Sequence, residues 1–243
     1  METMELQWIN VLGEFIGTAL LLILGTGVVA NVVLNKTKGQ NAGWIVITFG
    51  WSMAVFVGVY ASTSIGGSGH LNPAVTLGLF AFEGFGAVYV LPYILAQLAG
   101  AFTGAVIAWL SYKQHFDESN DAALKLAVFC TAPAIRNPVY NLITEVTGTF
   151  VLLFGALLLS KPVNSLGALD ALPVALLVLS IGLSLGGPTG YAINPARDLA
   201  PRLAHALLPI KGKGRSDWSY AWIPIVGPIA GAMVAAWLYS VIK

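Results

Sequence analysis

The sequence predicts an all-α membrane protein in which six transmembrane helices and two re-entrant half-helices form an inverted three-helix repeat. Three observations predict it. Charge is scarce, for 57% of the 243 residues are hydrophobic and only 9% charged, against roughly 25% charged in soluble domains. The charges are also far apart: uncharged stretches run from Phe15 to Asn35, Gly39 to Phe82, Gly84 to Tyr112, Ala171 to Ala196 and Trp218 to Ile242. Each reaches the roughly 20 residues that a helix needs to cross a bilayer. Finally, the halves repeat. Glu14-x-x-Gly17-Thr18 recurs as Glu145-x-x-Gly148-Thr149 and Ala99-Gly100-Ala101 as Ala230-Gly231-Ala232, both at a separation of 131, while Asn72-Pro73-Ala74 recurs as Asn194-Pro195-Ala196 at 122. Each half holds three spans, so the second half enters the membrane from the opposite side and the repeat is inverted. A soluble core of buried helices would show charged outer faces, which these stretches lack.

In chain order, the first span covers 8–34. It follows the acidic residues Glu2 and Glu5, with no basic leader and no cleavage pattern, and reads as a retained span. The second covers 43–61. Between it and the third, 87–112, lies Ser62 to Phe82, too apolar for a plain loop and too short for a loop plus a span, hence re-entrant. The connection 113–138, with Asp117, Glu118, Asp121, Lys125 and Arg136, is expected to face solvent. It joins the halves 8–112 and 139–242 of a single domain covering 1–243. Spans at 139–160, 170–187 and 221–242 follow, with a second re-entrant segment from Pro188 to Leu208. Glycines four apart at 13 and 17, 100 and 104, 182 and 186, and 227 and 231 let helix backbones approach closely in lipid.

Composition excludes several function classes. With net charge +1 and no basic run, nucleic acid is not a partner. A single cysteine, Cys130, leaves no intrachain disulfide framework and no cysteine metal site. No nucleophile, base and orienter occur at useful spacing, and His115 and His205 are too distant in this topology to join His70 around a metal. An enzyme, a metal and a cofactor are therefore not expected; membrane lipid is the expected surrounding.

Asparagine before proline is a helix-start signal: the side-chain oxygen caps an orphan backbone amide and proline suits the first helical position. Short helices are thus expected to begin at Asn72 and Asn194. Gly66, Gly67 and Gly69 before one, and Gly186, Gly187 and Gly190 before the other, suit non-helical approach segments. Such backbone persists at membrane depth only when buried in protein or lining a water-filled cavity, which implies a pore. Two half-helix N-termini meeting at the midplane would create a positive potential there. Arg197, one turn into the second half-helix in uncharged surroundings, is a functional candidate by its depth alone.

Ser68-Gly69-His70-Leu71-Asn72-Pro73-Ala74-Val75 and Gly190-Tyr191-Ala192-Ile193-Asn194-Pro195-Ala196-Arg197-Asp198 resemble the two signature motifs of the aquaporin superfamily. Asp198, Arg202, Pro224 and Ile225 are similar to its glycerol-facilitator branch. The resemblance implies a right-handed six-helix bundle, a homotetramer with one pore per subunit, and a selectivity filter at Trp51, Gly182, Tyr191 and Arg197. It implies that Gly182, a histidine in water-selective relatives, leaves the constriction open, and that Tyr191 stands where the branch more often has phenylalanine. The carbonyls of Ser68, Gly69, His70, Gly190 and Tyr191 are implied to form an acceptor ladder, with the His70 ring braced in its loop. Asp198 is implied to brace a loop. Glu14 and Glu145, which depth alone would allow as a proton relay, are implied to accept backbone amides of the re-entrant loops.

The expected function is a passive channel for glycerol and other small uncharged solutes, with water as co-permeant and protons and ions excluded. The alternatives are a channel for another neutral solute, such as protonated lactic acid, dihydroxyacetone, urea or hydrogen peroxide, and a proton-coupled carrier. Lysines and arginines in the connections favour termini outside by the positive-inside rule; the resemblance implies cytoplasmic termini in a multi-pass plasma-membrane protein, and the short tails suit a bacterial one.

Overall fold

The computed structural model describes residues 5–159 and 164–243. Glu2, Lys161 and the Ser160 end of the fourth expected span lie outside them. The elements are α1 (Trp8–Val33), α2 (Trp44–Ile65), α3 (Pro73–Phe82), α4 (Ala87–Ser111), α5 (Lys113–Glu118), α6 (Ala122–Phe129), α7 (Pro138–Leu158), a 3-10 turn (Gly167–Ala171), α8 (Leu172–Leu185), α9 (Pro195–Leu207) and α10 (Ile223–Ile242). Among the described residues six helices are long and apolar enough to span a membrane, the fifth counted with its 3-10 turn. The half-helices α3 and α9 are the short ones between them.

The repeat is visible at the level of single atoms. A Cβ on Gly100 of α4 would fall 2.3 Å from the Phe15 carbonyl oxygen of α1, and one on Gly231 of α10 would fall 2.3 Å from the Val146 carbonyl oxygen of α7. Both members of the second contact lie 131 positions beyond those of the first. Backbones in such contact tolerate no side chain, and in lipid, where helices gain little by hiding apolar surface from one another, this close packing is what joins them. α10 also packs on α3, α2 on α8 and α4 on α9, so each half-helix is clasped by spans of the other half as well as its own.

The connection 113–138 is not simply solvent-facing as its charges led one to expect. It folds into α5 and α6, with Asp121 capping α6 through the Ala123 and Leu124 amides. Phe116, Lys125, Val128, Phe129 and Cys130 are buried. The physical reason is amphipathicity: the apolar residues among the charges pack onto α1 and the half-helix α9, while Asp117 and Glu118 pair with Lys113 and Lys36 at the surface.

Candidate functional site

Both Asn-Pro pairs start helices by the expected cap. Asn72 Oδ1 accepts the Ala74 amide at 2.9 Å, and Asn194 Oδ1 accepts those of Ala196 at 2.9 Å and Arg197 at 3.3 Å; Pro73 and Pro195 take the first helical position. Asn137 caps α7 in the same way, ahead of Pro138, so the dipeptide alone signals a helix start and not a pore. What separates the other two is their mutual contact. Asn72 Nδ2 donates to the Ile193 carbonyl and Asn194 Nδ2 to the Leu71 carbonyl, each at 2.8 Å. The half-helices are thereby crosslinked head to head, with Ala74 and Ala196 fully buried behind them. An amide nitrogen carries two N–H groups, and both asparagines line a cavity of about 160 Å³.

The approach segments are held by two buried carboxylates. Glu14 accepts the His70 and Leu71 amides at 3.0 and 2.8 Å, with Ser62 and Gln97 as further donors. Glu145 accepts the Ala192 and Ile193 amides at 3.0 and 2.8 Å. Leu71 and Ile193, the residues before each asparagine, have left-handed φ of 50° and 45°, which turns consecutive amides toward the carboxylate and leaves the preceding carbonyls free. Among the described residues the carbonyl oxygens of Ser68, Gly69, His70, Gly190 and Tyr191 accept no hydrogen bond. Gly69, His70 and Tyr191 line the cavity; Ser68 and Gly190 do not. Ser68 Oγ instead meets the Tyr93 hydroxyl, and the Gly190 amide donates to the Gly186 carbonyl. His70 Nδ1 lies 3.1 Å from Thr76 Oγ1, so its ring is tied to the first half-helix.

Arg197, Trp51 and Tyr191 converge on one end of the cavity. The Arg197 guanidinium lies 4.0 Å from the Trp51 ring centroid, a cation–π geometry, and its Nη1 donates to the Phe129 carbonyl at 3.4 Å. Asp198 pairs not with Arg197 but with Arg202, through Nε at 2.9 Å and Nη2 at 2.8 Å, and also accepts the Thr131 amide and hydroxyl at 2.7 Å. Arg202 reaches on to the Thr131, Ser216 and Asp217 carbonyls. This buried network straps the 129–131 segment over the second half-helix.

The space beside Gly182 is taken by a neighbouring side chain. The glycine does not line the cavity. A Cβ there would lie 2.9 Å from Tyr191 Cζ and 3.0 Å from its hydroxyl, so the absent side chain makes room for the Tyr191 ring and not for the lumen. A Cβ on Gly186, one turn on, would fall 2.5 Å from Cδ1 of the same ring. The Tyr191 hydroxyl is buried with no hydrogen-bond partner. Trp44 closes the nest: its indole N–H donates to the Gly182 carbonyl at 3.1 Å and its ring stands edge-on to Tyr191. Sequence reasoning singled out neither Trp44 nor the Phe129 carbonyl. Trp44 precedes Trp51 by two helical turns on α2, a same-face spacing that would have pointed to it.

The rest of the lining is largely aliphatic, with Leu21, Val55, Val59, Val75, Leu152 and Val178 among its residues. A small molecule inside would meet both polar groups and hydrocarbon. Among the described residues no group of histidine, cysteine and carboxylate could hold a metal ion.

The family described as Major intrinsic protein matches residues 1–239. A protein of Thermotoga maritima named probable glycerol uptake facilitator protein is 57% identical over 230 residues, covering 94% of this chain and 97% of that one. Glycerol uptake facilitator protein 3 of Lactiplantibacillus plantarum is 53% identical over 234 residues, covering 96% and 97%. The solved structure of the aquaglyceroporin from Plasmodium falciparum aligns with a TM-score of 0.81 at 30% identity, covering 96% of this chain and 95% of that one. With six apolar spans, two crosslinked half-helices and a match over nearly its whole length, the chain belongs to the major intrinsic protein family.

Proposed function

We propose that the chain is a passive channel for glycerol and similar small uncharged solutes, with water as co-permeant, and that residues 1–243 act as one channel domain. The observation that carries this reading is the mixed lining of the cavity. Gly69, His70 and Tyr191, whose carbonyls accept no hydrogen bond, and Asn72, Asn194 and Arg197, which carry donors, share it with aliphatic side chains. Hydroxyl groups find both donors and acceptors there, while a carbon backbone loses nothing by leaving water. The names of the relatives, glycerol uptake facilitators at more than half identity, support the same substrate.

Trp51, Tyr191 and Arg197 form the filter, with Gly182 as its supporting floor. The Arg197 charge and the half-helix ends at Asn72-Pro73-Ala74 and Asn194-Pro195-Ala196 exclude cations and protons. Glu14, Glu145 and Asp198 are structural: their oxygens are occupied by backbone amides, hydroxyls and Arg202, which disfavours a proton relay. The protein sits in the plasma membrane with cytoplasmic termini, as a homotetramer with one pore per subunit.

Swelling of proteoliposomes on a panel of neutral solutes tests the reading. Glycerol entry should rise linearly with its gradient and ignore a pH gradient. Saturating entry that follows an imposed pH gradient would establish the carrier instead, and preferential passage of protonated lactic acid or urea would replace glycerol as the main solute.

A further inference from the structure

We propose that Trp44, which does not line the cavity, is a positioning residue that sets the width of the constriction by clasping Tyr191 in a strained backbone conformation; this rests on the assignment of Tyr191 to the filter. The strain is visible within the repeat. Tyr191 has φ 39°, and the residue 122 positions earlier, its counterpart in the first half, is Gly69 with φ 68°. Glycine adopts such a φ freely, whereas an aromatic residue does so only where its surroundings over-determine it.

The ring's own hydroxyl does not hold it, since that group is buried without a partner. Three neighbours bound it. Two are the bare turns at Gly182 and Gly186, where an added Cβ would run into the ring. The third is Trp44, edge-on at 5.8 Å between centroids and 82° between planes. The indole does a second thing at the same time. The Gly182 carbonyl belongs to the last turn of α8, whose acceptors the helix cannot satisfy itself, and Trp44 Nε1 donates to it at 3.1 Å. One side chain therefore ties the start of α2 to the end of α8 and bounds the ring that lies between them. Tryptophan at a helix end also occurs as an ordinary membrane-interface anchor, and that role would leave solute selection untouched.

Removing the clasp opens space on the side of Tyr191 away from the lumen, so the ring should withdraw and the constriction widen. The experiment is the ratio of xylitol to glycerol permeability in one proteoliposome preparation, which does not depend on how many channels folded. Trp44→Leu, lacking both aromatic ring and N–H, should raise the ratio at least about fivefold, and Trp44→Phe, which keeps one aromatic ring but loses the N–H and the second ring, at least about twofold. Tyr191→Ala should itself raise the ratio, and Trp44→Leu in that background should add little, because its effect runs through Tyr191. An unchanged ratio in Tyr191→Ala would overturn the filter assignment. A raised ratio there with no change in Trp44→Leu, or an undiminished Trp44→Leu effect in the double variant, would overturn the clasp alone. Should Trp44→Leu fail to insert, Trp44→Phe decides, and an unchanged ratio in it overturns the proposal.

Discussion

Adding a single methyl group at Gly182 should convert a supporting floor into a wedge. In Gly182→Ala the new Cβ would lie 2.9 Å from Tyr191 Cζ and 3.1 Å from Thr48 Cγ2. Carbon atoms rest at about 3.5 Å or more, so the ring must retreat by roughly 0.6 Å. It has no room along the wall, where Gly186 and Trp44 already touch it, and the lumen is the free direction. Overpacking a tight contact costs about 1–3 kcal/mol. If that penalty is transferred to a solute pushing past the ring, glycerol conductance falls roughly five- to hundredfold, at tenfold for each ~1.4 kcal/mol. Water is narrower and should lose less. Gly182→His should go further, abolishing most glycerol flux while water flux stays measurable. Stopped-flow light scattering on the same vesicles, first with a glycerol gradient and then with an impermeant osmolyte, measures both. Tyr191→Gly introduced alongside Gly182→Ala should restore glycerol flux, since it removes the displaced ring and suits the left-handed φ. A glycerol-to-water ratio unchanged in Gly182→Ala would refute the reasoning, because the wedge would then be absorbed without narrowing the pore.

Further outcomes follow from other contacts. Tyr191→Phe removes a buried hydroxyl with no partner, so it should stabilise the protein by about 1–3 kcal/mol with glycerol flux retained; a lowered melting temperature in detergent would contradict this. Arg197→Val removes the fixed charge at the constriction and should raise proton leak only in part, since the half-helix ends remain; a pH-sensitive dye in vesicles reads it, and an unchanged leak with glycerol still passing would confine Arg197 to orienting solute. Mercurials should inhibit weakly: Cys130 is buried, and burial together with the Asp198 carboxylate pushes its thiol well above the usual range, so the reactive thiolate is scarce at neutral pH. Rapid inhibition that disappears in Cys130→Ser would count against that. Glu145→Gln exchanges one acceptor oxygen for a donor, leaving the Ala192 or Ile193 amide unpaired at about 1–3 kcal/mol. Thermal stability should drop while the remaining glycerol flux stays indifferent to a pH gradient; loss of a pH-driven component present in the parent protein would revive the relay.

The spans and caps were legible in the sequence because each depends on short-range chemistry. Apolar runs of bilayer length and an asparagine that caps its own helix need no knowledge of distant residues. The meeting of the two half-helices was legible one step further out, through the inverted repeat, but their crosslink through the asparagine amides was not. What lies beside Gly182 was not legible: a missing side chain reads as empty space, but in a close-packed interior space left by one residue is taken by another, here Tyr191 from nine positions on. A clue lay in the repeat itself, since aligning Tyr191 with Gly69 sets an aromatic residue where its counterpart needs a glycine. The 113–138 connection was read by its charges, while its apolar residues decide that it folds inward. Trp44 and the Phe129 carbonyl act through contacts across more than a hundred and nearly seventy positions respectively; the spacing of Trp44 to Trp51 puts the first on the right helix face, but no local pattern shows its partner.

The frame of the molecule repeats itself, yet the aromatic and guanidinium collar proposed as the filter has no copy in the first half, where Gly69 and Val75 stand in the places of Tyr191 and Arg197. While the pore is mostly empty and entry is linear in concentration, flow through such a conduit is equal in both directions for equal gradients, because detailed balance then fixes a single permeability for an uncharged solute. In that regime the lopsidedness does not show itself in transport. It shows itself toward molecules that enter and cannot leave. A bulky polyol arriving at the collar is turned away at the threshold, whereas the same molecule arriving at the other mouth can travel past the paired asparagines before it lodges. Blockers of this channel should accordingly be sided even though its permeants are not.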